Sequence, residues 1–167
     1  MYNVGKPGRP GREGRMFGKK EIKVLLVDDE VEFVTTLAER LRLRELKVDT
    51  VFDGTQALAF IEKTEPDVIV LDLKMPGLHG IDVLREIKKT RPKIQVSILT
   101  GHGTDQDEDA ARKLGGFDFL RKPAEIDLLV RKIKEAFQEK IERVMSAAAY
   151  AEGGDIDDAK KIFNKEE

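Results

Sequence analysis

Between Glu21 and Pro123 one pattern occurs five times: a short run of β-branched and aliphatic residues, then a longer stretch whose apolar residues recur at helical spacing. Strand-then-helix units of this kind cannot pair as hairpins. They predict a parallel sheet with helices on both faces. The strands are expected at Ile22–Val27, Lys47–Phe52, Asp67–Leu71, Ile94–Leu99 and Phe117–Leu120. Helices are expected at Val31 to about Leu43, Thr55–Lys63, His79–Thr90, Asp105–Leu114 and onward from Ile126. The run DVIVL shows no alternation, which fits a strand buried on both faces, whereas Lys47–Phe52 is weaker and suits an edge.

Five such units in about 120 residues leave few topologies. The commonest is an open, doubly wound α/β sheet of flavodoxin-like order 2-1-3-4-5, in which ligands bind beyond the carboxyl ends of the strands. The residues at those ends are Asp28 and Asp29 after the first strand, Asp72 after the third, Thr100 after the fourth, and Lys122-Pro123 after the fifth. Each alone has an ordinary explanation as a helix cap, turn former or strand end. Together they put three carboxylates, a hydroxyl and an ammonium on the edge where a ligand is expected. Clustered carboxylates repel one another and need a cation, and an all-oxygen acidic site selects a hard divalent ion such as Mg²⁺. A carboxylate can attack phosphorus to give an acyl phosphate, while Lys122 and Thr100 offset the charge on the transferred group.

Four stretches carry a further signal: VLLVDDE (Val24–Glu30), DVIVLDLKMPGLHG (Asp67–Gly80), SILTGHG (Ser97–Gly103) and GGFDFLRKP (Gly115–Pro123). In this order and separation they resemble the response-regulator receiver domains of two-component systems, over residues 22 to about 138. The resemblance implies that Asp72 is the phosphoacceptor. It also implies that Asp28 and Asp29 hold Mg²⁺ with Asp72 and the backbone carbonyl of Lys74. Thr100 would bond the phosphoryl oxygen, Lys122 would pair with it, and the Lys122-Pro123 bond would be cis. Phe119 occupies the aromatic switch position. Phosphorylation would draw Thr100 inward, let Phe119 rotate into the vacated space, and reshape the face of helix 4, strand 5 and helix 5.

The chain departs from the family pattern in places. His79 stands where an Asp is common, and a helix N-cap role covers both residues. Glu45-Leu46 replaces a Gly-aromatic pair at the end of helix one, so an irregular turn is expected there. Lys74 varies in the family and affects the lifetime of the acyl phosphate. His102 reads as a loop residue beside Thr100, and Gly101 leaves a path to the acceptor.

The ends differ from this body. Residues 1–20 carry six Lys/Arg against one acid, leaving a net charge of −7 on residues 21–167. Their density of Gly and Pro predicts a disordered basic tail, with Met16 as an alternative first residue. A Gly-Arg-Pro run there is similar to minor-groove-binding hooks, which makes a DNA-associated regulator the alternative reading, although nucleic acid is not the expected partner. Residues 21–138 form the receiver domain and 139–167 a helical extension. In that extension Ile141, Val144 and Ala148 continue an apolar stripe, Gly153-Gly154 breaks the helix, and Asp155 caps a last short one. The stripe suits either an internal lid or a homodimer seam. With 44 residues after Pro123, a single-domain regulator acting by protein contact is expected.

The expected partners are a sensor histidine kinase or histidine phosphotransfer protein upstream and an unidentified output protein downstream. Such a chain is no enzyme beyond its own phosphotransfer and autodephosphorylation. A hydrolase of the same carboxylate chemistry would need a substrate-selecting cap, and none is visible. There is no cysteine to form disulfides, no apolar stretch long enough to span a bilayer and no apolar signal core, so a cytoplasmic protein without membrane association is expected.

Overall fold

The computed structural model describes residues 20–153. Five strands, β1 (Lys23–Val27), β2 (Lys47–Val51), β3 (Val68–Leu71), β4 (Gln95–Thr100) and β5 (Asp118–Arg121), alternate with α1 (Val31–Arg42), α2 (Gly54–Lys63), α3 (Gly80–Thr90), α4 (Asp105–Lys113) and α5 (Ile126–Gly153). The sheet is wholly parallel in the order β2-β1-β3-β4-β5, the expected doubly wound topology. β2 lies at one edge, and β3 is buried along its whole length.

Two apolar layers follow from the period of two along each strand. Leu25, Val27, Ile69, Leu71, Val96 and Ile98 face the layer shared with α2 and α3. Val24, Leu26, Val68, Val70 and Leu99 face the layer under α1 and α5. The helices meet the sheet through Val34, Ala38 and Leu41 of α1, Val83, Leu84 and Ile87 of α3, and Leu129, Ile133 and Ala136 of α5.

Element limits differ from the sequence expectation for local reasons. Thr100 is the last residue of β4 rather than the first after it, because β5 pairs alongside and the Lys122 N–H donates to the Thr100 carbonyl at 2.9 Å. Asp53 caps α2 by accepting from the Gln56 N–H, so the helix begins at Gly54. The turn after α1 is irregular: Glu45 takes φ 64°, a left-handed conformation usually left to glycine.

α5 is 28 residues long, or about 42 Å, and it overshoots the sheet. Its continuation is tied to the far end of β3, where Lys140 Nζ lies 2.9 Å from Asp67 Oδ1. Asp67 is buried and also accepts from the Lys23 N–H at 2.9 Å. Beyond this tie Ile141 and Val144 are half-buried and Met145 is 55% exposed. The expected basic tail up to residue 19 and the short helix after Asp155 lie outside the described residues.

Candidate functional site

Parallel register brings the strand ends to one edge. Val27 of β1 stands beside Leu71 of β3, so Asp28 and Asp72 leave the sheet next to each other, and the Asp72 N–H donates to the Val27 carbonyl at 2.9 Å. Asp29 follows on the loop into α1. Carboxylate oxygens of Asp28, Asp29 and Asp72 all lie within 4.8 Å of one another. Asp28 and Asp72 are buried, at 4% and 5% exposure, and Asp29 is half-buried.

Lys122 arrives from the end of β5 with its side chain 12% exposed. Its Nζ lies 2.6 Å from Asp28 Oδ2 and 3.7 Å from Asp72 Oδ2. The Lys122-Pro123 peptide bond is cis. Burial works against the charge of Lys122, but its hydrogen bond to Asp28 and the charges of Asp28 and Asp72 win, so its pKa is raised. Asp28 is also raised. There burial outweighs the Lys122 hydrogen bond and the Glu30 N–H that hold the carboxylate, and the Asp72 charge adds to the rise. With three carboxylates about one ammonium, the site has more negative charge than Lys122 neutralises.

Thr100 is fully buried at the end of β4, and its Oγ1 accepts from the His102 N–H at 3.4 Å. The Lys74 N–H approaches Asp72 Oδ1 at 3.4 Å, so the chain after Asp72 folds back over its carboxylate. Gly80 at the start of α3 permits that fold: a Cβ there would stand 2.4 Å from the Leu73 Cα and 2.7 Å from the Asp72 carbonyl oxygen. His79 caps α3, its Nδ1 accepting from the Ile81 N–H at 3.2 Å. His79 and His102 are both exposed.

Phe119 is half-buried on β5, and its ring lies against Gly103. A Cβ at Gly103 would come within 2.6 Å of the ring and 2.7 Å of Thr100 Cγ2. Thr100 and Phe119 thus share one small space floored by a glycine. Arg121 stacks over the same ring at 5.7 Å, donates to the Gly103 carbonyl and pairs with Asp105 at 3.1 Å.

The structure therefore places Asp28, Asp29, Asp72 and Lys122 in one cluster, with Thr100 and Phe119 beside it. The Glu30 carboxylate and the Phe33 ring also reach Lys122 Nζ, at 3.2 Å and 4.3 Å, and sequence reasoning missed both, along with Gly103 and Arg121. Of these only Glu30 carried a signal, as the third acid of the DDE run.

A family model for the response regulator receiver domain matches residues 24–134. The probable transcriptional regulatory protein TcrX of Mycobacterium tuberculosis is 33% identical over 113 residues, which is 68% of this chain and 48% of that protein. The transcriptional regulatory protein GlrR of Escherichia coli is 34% identical over 120 residues, 72% of this chain and 27% of that protein. Among solved structures, a response regulator receiver domain protein from Clostridium thermocellum is 39% identical with a TM-score of 0.67, covering 71% of this chain and 96% of the other. The chain thus spans half or less of the length of these curated relatives.

Proposed function

Since the chain belongs to the response regulator receiver domain family, we propose that Asp72 accepts a phosphoryl group from a phosphohistidine on a sensor histidine kinase or histidine phosphotransfer protein. The observation that carries this is the cluster of Asp28, Asp29, Asp72 and the Lys122 ammonium. An Asp72 carboxylate oxygen forms a bond to phosphorus while the phosphorus–nitrogen bond to the donor imidazole breaks. The electron pair stays on that nitrogen, and the product is an acyl phosphate on Asp72.

Three close carboxylates with one shared ammonium fit a hard divalent cation, and Asp28, Asp29, Asp72 and the Lys74 carbonyl would hold Mg²⁺. When bound, that ion neutralises charge between the anionic acceptor and the anionic phosphoryl group. Lys122 offsets the charge on the phosphoryl oxygens. Thr100 Oγ1 has its own proton to donate to one of them, since its present bond is one it accepts.

A phosphoryl group adds about two negative charges at Asp72. Thr100 moves toward it, and the Phe119 ring, already against Gly103, turns further into the space that Thr100 vacates, which changes the α4/β5/α5 face. That face then selects an output protein or a second copy docked along α5. The transcriptional outputs of TcrX and GlrR belong to those longer proteins. A groove of about 330 Å³ between α1 and the start of α5, lined by apolar residues such as Phe33, Leu37 and Ile126 together with Glu32, Thr36 and Arg40, supports docking of a donor protein there.

Receiver domains are signalling modules rather than classical enzymes, and the chemistry proposed here is limited to phosphotransfer and autodephosphorylation at Asp72. Sedimentation and affinity capture of the phosphorylated chain against its Asp72→Asn variant test the switch. A difference in assembly or in captured partner is expected, and identical profiles would contradict it.

A further inference from the structure

Among the described residues the Lys122 ammonium has four charged or aromatic neighbours, of which the proposed acceptor is only one. Asp28 Oδ2 lies at 2.6 Å, Glu30 Oε1 at 3.2 Å and Asp72 Oδ2 at 3.7 Å. The face of Phe33 lies 4.3 Å from Nζ, within the range of a cation–π contact. Glu30 and Phe33 are one turn apart at the start of α1, so both reach the same side of the lysine.

Glu30 occupies the N-cap position of α1 yet makes no capping bond with its side chain, where Ser, Thr, Asp or Asn would be usual. Its own N–H is held by Asp28 Oδ1 at 2.9 Å. The carboxylate is committed to Lys122 instead. Asp28 cannot hold a divalent cation and the ammonium at their present closeness without strong repulsion between two positive charges. The lysine needs another place inside the site.

We propose that Glu30 and Phe33 form a second seat for the Lys122 ammonium, to which it shifts when a divalent cation takes Asp28, so that cation and lysine occupy the site together. Glu30 and Phe33 are positioning residues here, acting through Lys122. This inference rests on the reading of the cluster as a Mg²⁺-dependent phosphoryl acceptor.

Mg²⁺ titration of the full chain, followed by backbone amide shifts, tests it in a cycle of wild type, Glu30→Gln, Lys122→Met and the double variant. Glu30→Gln should weaken Mg²⁺ roughly three- to tenfold while Lys122 is present. In the Lys122→Met background the same change should cost less than about twofold, because only the screened attraction of an exposed carboxylate is then lost. Phe33→Leu should weaken Mg²⁺ about threefold in the wild-type background, and Phe33→Tyr should not. An equal loss in both backgrounds would show Glu30 acting directly on the cation and overturn the seat, as would no loss in the wild type. Normal Mg²⁺ binding with a flat cycle sinks the seat alone. A wild type that neither binds Mg²⁺ nor takes up a phosphoryl group from acetyl phosphate contradicts the underlying reading of the site and the seat with it.

Discussion

Asp28 carries the electrostatic cost of the cluster. Burial lifts its pKa above the ordinary 3.8 despite Lys122 and the Glu30 N–H, so the folded chain binds that proton more tightly than the unfolded one. Its contribution favours folding at low pH and is lost as pH rises from the ordinary carboxylate range through the raised value. Asp28→Asn should therefore stabilise the metal-free protein at neutral pH, by on the order of 1 kcal/mol, and flatten that part of the stability profile in urea titrations. A destabilised variant would contradict the charge account. Lys122 has a profile of the same sign in a higher pH window: with its pKa raised, its contribution is complete below the ordinary lysine range and disappears as pH climbs through the raised value. Ser97 is a separate weakness, fully buried on β4 with no hydrogen-bond partner for its hydroxyl among the described residues. Ser97→Ala should be neutral or stabilising by up to about 1 kcal/mol in the same titration, and a clear loss would mean that the hydroxyl is satisfied. Asp28, Asp29, Asp72, Thr100 and Lys122 could be read from the sequence because strand ends in a parallel sheet converge by topology. Phe33, Gly103 and Arg121 could not, and Glu30 was marked only as the third acid of the DDE run, because their roles depend on how far side chains reach across loops.

At the scale of elements, periodicity located the five strands and five helices of the described residues, and capping chemistry fixed several of their limits. Thr104 and Asp107 form a reciprocal capping box at α4, and that hydrogen bonding holds Asp107 below its ordinary pKa. Thr104→Ala should cost about 1 kcal/mol, with amide exchange in α4 accelerating more than in α3. Equal protection in both helices would argue that the box is incidental. The tie between α5 and β3 was hidden from the sequence, since Asp67 and Lys140 are 73 positions apart and meet only because α5 overshoots the sheet. Lys140→Ala leaves a buried carboxylate with a backbone N–H and the more distant Lys20, 3.8 Å away. It should destabilise the fold by about 3 kcal/mol, and adding Asp67→Asn should recover much of that loss. Additive losses in thermal unfolding would rule out a coupled pair.

For the molecule as a whole, two apolar layers fix a rigid sheet, and every group proposed for chemistry stands at one end of it. The candidate switch is built from the adjoining pieces: Thr100 on β4, Phe119 on β5, and the Gly103 loop that Arg121 clasps from β5. Charge added at Asp72 is thus one short step from the α4/β5/α5 face. The sheet order and acidic edge were legible because alternating strands and helices admit few topologies. The readout was not, because a docking face is defined by its partner. The acceptor role of Asp72 is tested most directly by intact mass after incubation with acetyl phosphate and Mg²⁺. The wild type should gain one phosphoryl group, and Asp72→Asn should gain none. Equal labelling of the two proteins would contradict the assignment of Asp72.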